Sequence, residues 1–460
     1  MSTVLHRLRR APDPDRFDRR LIAPMLLGAI LNPVNSSIIA VSLVPIGAAF
    51  GAPPARTAWL VSALYLATAI GQPVVGRLID LYGPRRLFLA GSLLVGVAGL
   101  LGTLAPGLGV LIAARVLLGF GTCAGYPAAM YLIRAEADRT GRDSPAAVLT
   151  ALAVASQTIA VIGPTVGGLL IGAGGWRATF AVNVPLAAVS LALGAWRLPR
   201  TPARTGAVRL TRVIDLAGML LFAAALVALL LFLMSPGFAH WYLPVLAALA
   251  AAGFAVRELR ADHPFVDLRI LAGNVPLLLT YARATLTTTV AYAVLYGYTQ
   301  WLEDGRGLSA TGAGLVLLFL SLASLAASSI TGRRTEIRGK LLVGGVAQLA
   351  AAALLLCATG DGSPVWLLAA IAVVAGIPQG LNNLANQNAV YHQADPARIS
   401  SSAGLLRTFS YLGAIIASAA NAGFLAHRAD TGGLHHLALF LLGTAGAFLL
   451  VTLADRSLSR

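Results

Sequence analysis

Apolar runs long enough to cross a bilayer follow one another from Leu21 to Ala454, separated by short basic turns. The longest stretch, Leu216–Val256, has no Asp, Glu, Lys or Arg. It is broken only at Ser235-Pro236-Gly237, so it reads as two helices. A hydrocarbon core about 30 Å thick needs ~20 apolar residues per helix. Lipid also leaves no backbone donor unsatisfied, so repeated runs of this length specify an all-α polytopic membrane protein. Only 11% of the 460 residues are charged, against about 25% in soluble domains. The net charge of +16 sits in the short turns rather than on a soluble face, which argues against a nucleic-acid partner. Cys123 and Cys357 lie singly inside apolar runs, with no disulfide or metal spacing, and read as packing residues.

About fourteen spans are expected. Six fall over 21–197, two over 214–257 and six over 275–454. The rest divides into a tail over 1–20, a basic linker over 198–213, a loop over 258–274 and a tail over 455–460. Arg7, Arg9, Arg10, Arg16, Arg19 and Arg20 precede the uncharged run Leu21–Ala49, which is too long for a signal-peptide core and reads as an uncleaved first helix. Basic residues collect in alternate turns: Arg77, Arg85 and Arg86; Arg134, Arg139 and Arg142; Arg257, Arg260 and Arg269; Arg333, Arg334, Arg338 and Lys340. The other turns hold little beyond Arg56, Arg306 and Arg428. By the positive-inside rule both termini should be cytoplasmic, in an inner membrane.

One turn carries more than charge. Gly76–Arg86 reads GRLIDLYGPRR between two apolar runs, with Gly83-Pro84 ending the helix and Asp80 among its bases. Thr331–Lys340, TGRRTEIRGK, follows the second of the last six spans as Gly76–Arg86 follows the second of the first six. This pattern resembles the loop signature of the major facilitator superfamily. The resemblance implies two six-helix bundles, related by an internal repeat, with the two middle spans inserted between them. In the fourth span Arg115, Gly119 and Gly121 resemble a further family signature, with Leu118 at the usual Gln. A charge that deep is costly and marks a functional position. In the fifth span Gly163, Pro164, Gly167 and Gly168 resemble the exporters' signature, with Ile159 at its first Gly. Pro164 permits a bend, and the glycines let a facing helix approach closely. Together with Trp176–Pro185 and the span count, these motifs resemble the fourteen-span drug:proton antiporter group.

The chain departs from that group at one point. The family's first-span Asp is replaced here by LNPVNSSIIAVSLVP, with Asn32, Asn35, Ser36 and Ser37. None of the 18 acids and none of the 7 His falls near the middle of a run, so a proton carrier is not evident. What the middle holds is Arg115, Arg283, amides and phenols. The expected cavity residues are Asn32, Asn35, Ser36, Arg283, Thr287, Tyr292, Tyr296, Gln379, Asn382 and Asn386, since facilitator substrates sit between the halves. They could equally be interhelical glue. Asp80 is expected to cap the start of the thirteenth span at Ser400–Ser402, clamping the halves on the inner side.

The reading is a monomeric secondary transporter that exports small amphipathic or drug-like compounds through the lipid bilayer by alternating access, with protons as a candidate coupling ion. The alternative is a facilitator for one small metabolite, an anionic one if Arg115 or Arg283 binds it. No cofactor, metal or ATP is expected. Gly339-Lys340 is followed by Leu341 rather than by the Ser or Thr of a nucleotide loop. An enzyme would need an acid or metal cluster, and the adjacent pair His435-His436 has only Asp430 near it.

Overall fold

The computed structural model describes residues 17–140, 146–199, 215–234, 238–261, 264, 268–270, 273–331, 336–394, 399–426 and 428–459. Most of the linker over 198–213 therefore lies outside the described residues, as do the side chains of Arg77, Asp80 and Ser400. The expected contact between Asp80 and the thirteenth span falls there too.

The described residues form fourteen long helices. The first eight are α1 (Arg19–Phe50), α2 (Pro54–Tyr82), α3 (Pro84–Thr103), α4 (Leu108–Thr140), α5 (Ala146–Gly174), α6 (Ala178–Arg197), α7 (Leu216–Met234) and α8 (Tyr242–Arg260). Helix α9 starts at Val275–Ala293 and continues as π-helix through Val294–Tyr298 and Trp301–Gly305. Then come α10 (Ala310–Thr331), α11 (Ile337–Cys357), α12 (Val365–Gln393), α13 (Ile399–Phe424) and α14 (Thr431–Ala454). Twelve of these are long and apolar enough to cross a membrane by that test alone; α9 and α13 are the other two. The end of the bundle at which α1 starts is called here the termini face.

Helix pairing repeats with an offset of eight. Helices α1–α5, α2–α4, α3–α6 and α3–α4 pack together, and so do α9–α13, α10–α12, α11–α14 and α11–α12. Two seams join the halves, α5 with α10 and α2 with α13, and they are equivalent under the same repeat. The middle hairpin packs α7 on α8 and sets α7 against both α2 and α13. The inserted helices therefore cover one of the two seams.

Small residues allow the close seams. A Cβ on Gly168 would lie 2.6 Å from the Ala310 carbonyl oxygen and 2.9 Å from Thr311 Cα, both backbone atoms of α10. Thr311 and Thr165 each donate a 2.8 Å hydrogen bond across this seam, to the Gly168 and Gly314 carbonyls. Gly163 and Gly167 instead face α1, at Ser37 and Ile38. Pro33 inside α1 has no N–H for the Ala29 carbonyl, and Ser156 of α5 donates to that oxygen at 3.3 Å.

Several boundaries differ from expectation. Helix α8 runs to Arg260, past the expected end at 257. Glu303, expected in an outer loop, is inside the π-helical end of α9 and 7% exposed. Asp455, expected in a tail, is 2% exposed. Cys123 is buried as expected, whereas Cys357 is exposed at the end of α11.

Gly168→Ala should destabilise the protein by about 1–3 kcal/mol, because backbone rather than side chain must give way. Gly76→Ala, with nothing within 4 Å of the new methyl, should be neutral or stabilising by up to ~1 kcal/mol. Thermal unfolding of the two variants in detergent measures the contrast.

Candidate substrate site

Helix α1 changes winding where the halves meet. After Pro33 it tightens into a 3-10 turn over Ile39–Ser42, which frees carbonyls that a continuous α-helix would use. Arg115 takes one of them. Its Nη1 donates to the Asn35 carbonyl at 2.9 Å and its Nε to the Leu60 carbonyl of α2 at 2.7 Å. Tyr296, on the π-helical stretch of α9, takes the next, donating to the Ser36 carbonyl at 2.9 Å. Tyr296 also lies 3.2 Å, oxygen to oxygen, from the Tyr65 hydroxyl of α2. Arg115 is 1% exposed and belongs to the packed first half, beside a small cavity that Asn35, Ile38, Ile39, Thr179 and Phe180 also line.

Four tyrosines from both halves meet at this level. Tyr65 is edge-on to Tyr292 at 5.3 Å and 5.9 Å from Tyr411 of α13, and Tyr292 stacks on Tyr296 at 5.6 Å. A π-turn shifts the register of the residues that follow it; here it carries Tyr296 to the seam. Toward the far face Ser62 donates to Ser418 at 2.9 Å, and Ser418 to the Ala58 carbonyl at 3.0 Å. Toward the termini face Tyr411 donates to Gln72 Oε1 of α2 at 2.8 Å. One turn further along α13 the Arg407 guanidinium lies 3.6 Å from the Tyr126 ring centroid of α4, a cation–π contact between the halves.

The expected cavity residues divide. Tyr292, Tyr296 and the Ser36 carbonyl line the meeting point. Gln379 is half-buried and shares a face of α12 with the exposed Asn383 and Gln387, which hydrogen-bond to each other at 3.2 Å. Asn382 and Asn386 lie a turn round the helix on its buried side, Asn382 against Gly344 of α11. Both are buried, and the Asn382 amide has no described hydrogen-bond partner. Asn35 is likewise buried within the first half, donating to Asn183 at 2.7 Å, and Asn32 donates to Thr122 at 3.1 Å. Thr287 is 5% exposed inside α9, while its neighbours Thr285 and Thr289 donate to α13 carbonyls as glue.

Arg283 is the clearest correction. It is fully buried and forms a 2.8 Å ion pair with Asp455, with its other nitrogen on Thr280. Gln393 joins the same cluster, accepting from Thr280 and donating to Asp455 at 3.4 Å. A fully buried guanidinium paired in this way holds the chain's own last turn rather than facing a cavity between the halves. Tyr65, Gln72, Tyr126, Arg407 and Tyr411 were not among the expected site residues. For Arg407 the signal was present: it lies as deep in its span as Arg115 does in its own.

The gating motif is placed in part. Gly83 ends α2 with φ +83°, a conformation that glycine adopts without strain, and Pro84 starts α3. Arg85 donates to the Ala195 carbonyl at 2.6 Å, tying the turn to the end of α6, and Arg86 is exposed. Gly119 brings α4 against Ala67 and Leu64 of α2.

Residues 25–418 match the Major Facilitator Superfamily. The chain belongs to this family, and it is a multi-pass membrane transporter rather than an enzyme. Among its facilitator relatives is the MFS-type transporter YwoD of Bacillus subtilis (strain 168), 33% identical over 85% of this chain and 86% of that protein. The lincomycin resistance protein of Streptomyces lincolnensis is 31% identical over 70% of this chain and 66% of its own length. A multidrug resistance protein B homolog of Mycobacterium tuberculosis (strain ATCC 25618 / H37Rv) is 30% identical over 74% and 63%. The solved POT family transporter PepTSo has the same fold, with a TM-score of 0.68 at 12% identity over 96% of this chain and 99% of that one.

Asp455→Ala leaves the Arg283 charge buried and unpaired, and should cost about 3–5 kcal/mol. Arg283→Met combined with Asp455→Leu should recover most of that loss. Thermal unfolding of both single variants and the pair completes the cycle.

Proposed function

We propose that this facilitator exports small amphipathic organic compounds by alternating access, from a site at the tyrosine cluster between the halves. The observation that carries the reading is the aromatic and amide wall shared by both halves, Tyr65, Gln72, Tyr292, Tyr296 and Tyr411, below a far-face closure of small side chains. Rigid aromatic surface suits varied flat or greasy solutes, with a few polar groups for orientation. The resistance proteins among its relatives support the outward direction. The basic turns on the termini face support a cytoplasmic position for both ends. On this reading 21–197 and 275–454 are the two moving bundles, each protein acts as a monomer, and the hairpin over 214–257 accompanies the seam it covers.

A second reading, a carrier for one anionic metabolite, is favoured by the cation at the seam. Resistance to many unrelated compounds in a sensitive host supports the first reading; loss of one metabolite only supports the second. In either case the turn Gly76–Arg86 is the proposed gate on the termini face, and an Asp80→Asn variant with wild-type flux removes Asp80 from it.

Tyr296→Phe removes the hydrogen bond to the Ser36 carbonyl and loosens the closed state. Flux of an exported dye from reconstituted vesicles should change by about 2- to 10-fold, the size of one neutral hydrogen bond. Flux within experimental error of the parent protein would place the substrate path elsewhere.

A further inference from the structure

We infer that the central site takes solutes bearing a negative charge, and that Arg407 with Tyr126 is the group that binds that charge. The inference rests on the proposed central site and names the substrate class for it. Of the three arginines that lie seven or more residues inside a described helix, Arg115 holds two backbone carbonyls and Arg283 holds Asp455, and both are buried out of reach. Arg407 is only half-buried. Its described contacts are the Tyr126 ring, at 3.6 Å, and the Tyr411 hydroxyl. No described carboxylate pairs with it.

A guanidinium held over an aromatic ring, with the Tyr411 hydroxyl as its one described hydrogen-bond partner, has further N–H donors to offer a carboxylate, sulfonate or phosphate, with a geometry that a bare point charge lacks. The contact also spans the halves, since Tyr126 is on α4 and Arg407 on α13. An anion bound there would hold Arg407 while the halves change their packing. One turn nearer the termini on α13, Gly404 is exposed with nothing within 4 Å of where its Cβ would be. It leaves open room on the approach to Arg407. The polar pair beyond, the Tyr411 hydroxyl and the Gln72 amide, consists of neutral donors and acceptors suited to the rest of an amphipathic anion.

This charge selection also bears on the driving force. Export of an anion needs no proton carrier, because moving a negative charge outward across an inside-negative membrane runs down the electrical gradient. Export is then electrogenic uniport, and its rate follows the potential rather than the pH difference.

The test uses three probes on one scaffold: 1-naphthalenesulfonate, 1-naphthalenemethanol and (1-naphthylmethyl)trimethylammonium. Binding is measured to the full-length protein in detergent. Flux of the two charged probes is measured in proteoliposomes with a potassium–valinomycin potential of either sign and no pH gradient. Sulfonate should bind in preference to the other two and move in the direction set by the potential. Arg407→Gln should weaken sulfonate binding about 10- to 100-fold, the worth of a charge-assisted contact, and leave the alcohol within about twofold. Arg407→Lys should restore part of the loss, which guards against a folding defect, as does an unchanged size-exclusion profile. Preferred binding of the ammonium or the alcohol, or sulfonate binding indifferent to Arg407→Gln, overturns the charge assignment and leaves the central site standing. Failure of all three probes to bind overturns the proposed amphipathic site itself, and this inference with it.

Discussion

The two seams between the halves must be tight enough to seal and simple enough to part. One seam meets these requirements by close approach of backbones, the other by small hydroxyls and a few aromatic and amide side chains. At α5 and α10 the Gly168, Pro164 and Gly314 backbones touch directly, and two threonines add single hydrogen bonds. At α2 and α13 Ser62, Ser418 and the Ala58 carbonyl meet, and Tyr411 lies beside Tyr65 and donates to Gln72. In lipid there is little hydrophobic force between helices, so close van der Waals packing and isolated hydrogen bonds supply the adhesion. Such contacts are individually weak and can be exchanged for an alternative packing at modest cost.

The placement of charge follows from the same setting. A buried guanidinium has to be neutralised or hydrogen-bonded, and the three arginines deepest in the described helices reach this in different ways. Arg115 uses carbonyls released where α1 tightens beyond Pro33. Arg283 uses Asp455, a residue that also fixes the last turn of the chain against α9 and α12. Arg407 rests on an aromatic face beside the Tyr411 hydroxyl. The first two stabilise a half, and the third stands between halves. That distinction separates the three more sharply than depth in the membrane does.

Much of the architecture was legible along the chain. Span number, the broken pair over 216–256 and the duplicated basic turn are local properties of hydropathy and charge, and they led directly to the family. The roles of individual polar residues were less legible. Asn382 and Asn383 are adjacent in sequence and equally polar, yet one packs on Gly344 and the other is exposed. A helix turns about 100° per residue, so the neighbours of a helix, not its composition, decide which amide meets a cavity. Thr285 and Thr289 bond to α13, whereas Thr287 between them does not, for the same reason.

The sequence by itself determined that this chain crosses a membrane many times and that a basic turn recurs in its two halves, because apolar length and charge between runs act over a few residues. Tertiary structure alone decided which charges are spent and which remain available. Arg283 finds its partner 172 positions away in Asp455, and Tyr411 finds Gln72 across 339. Electrostatic and hydrogen-bond compensation acts over a few ångströms of space, and no local pattern in the chain records which distant segment will fold into that reach.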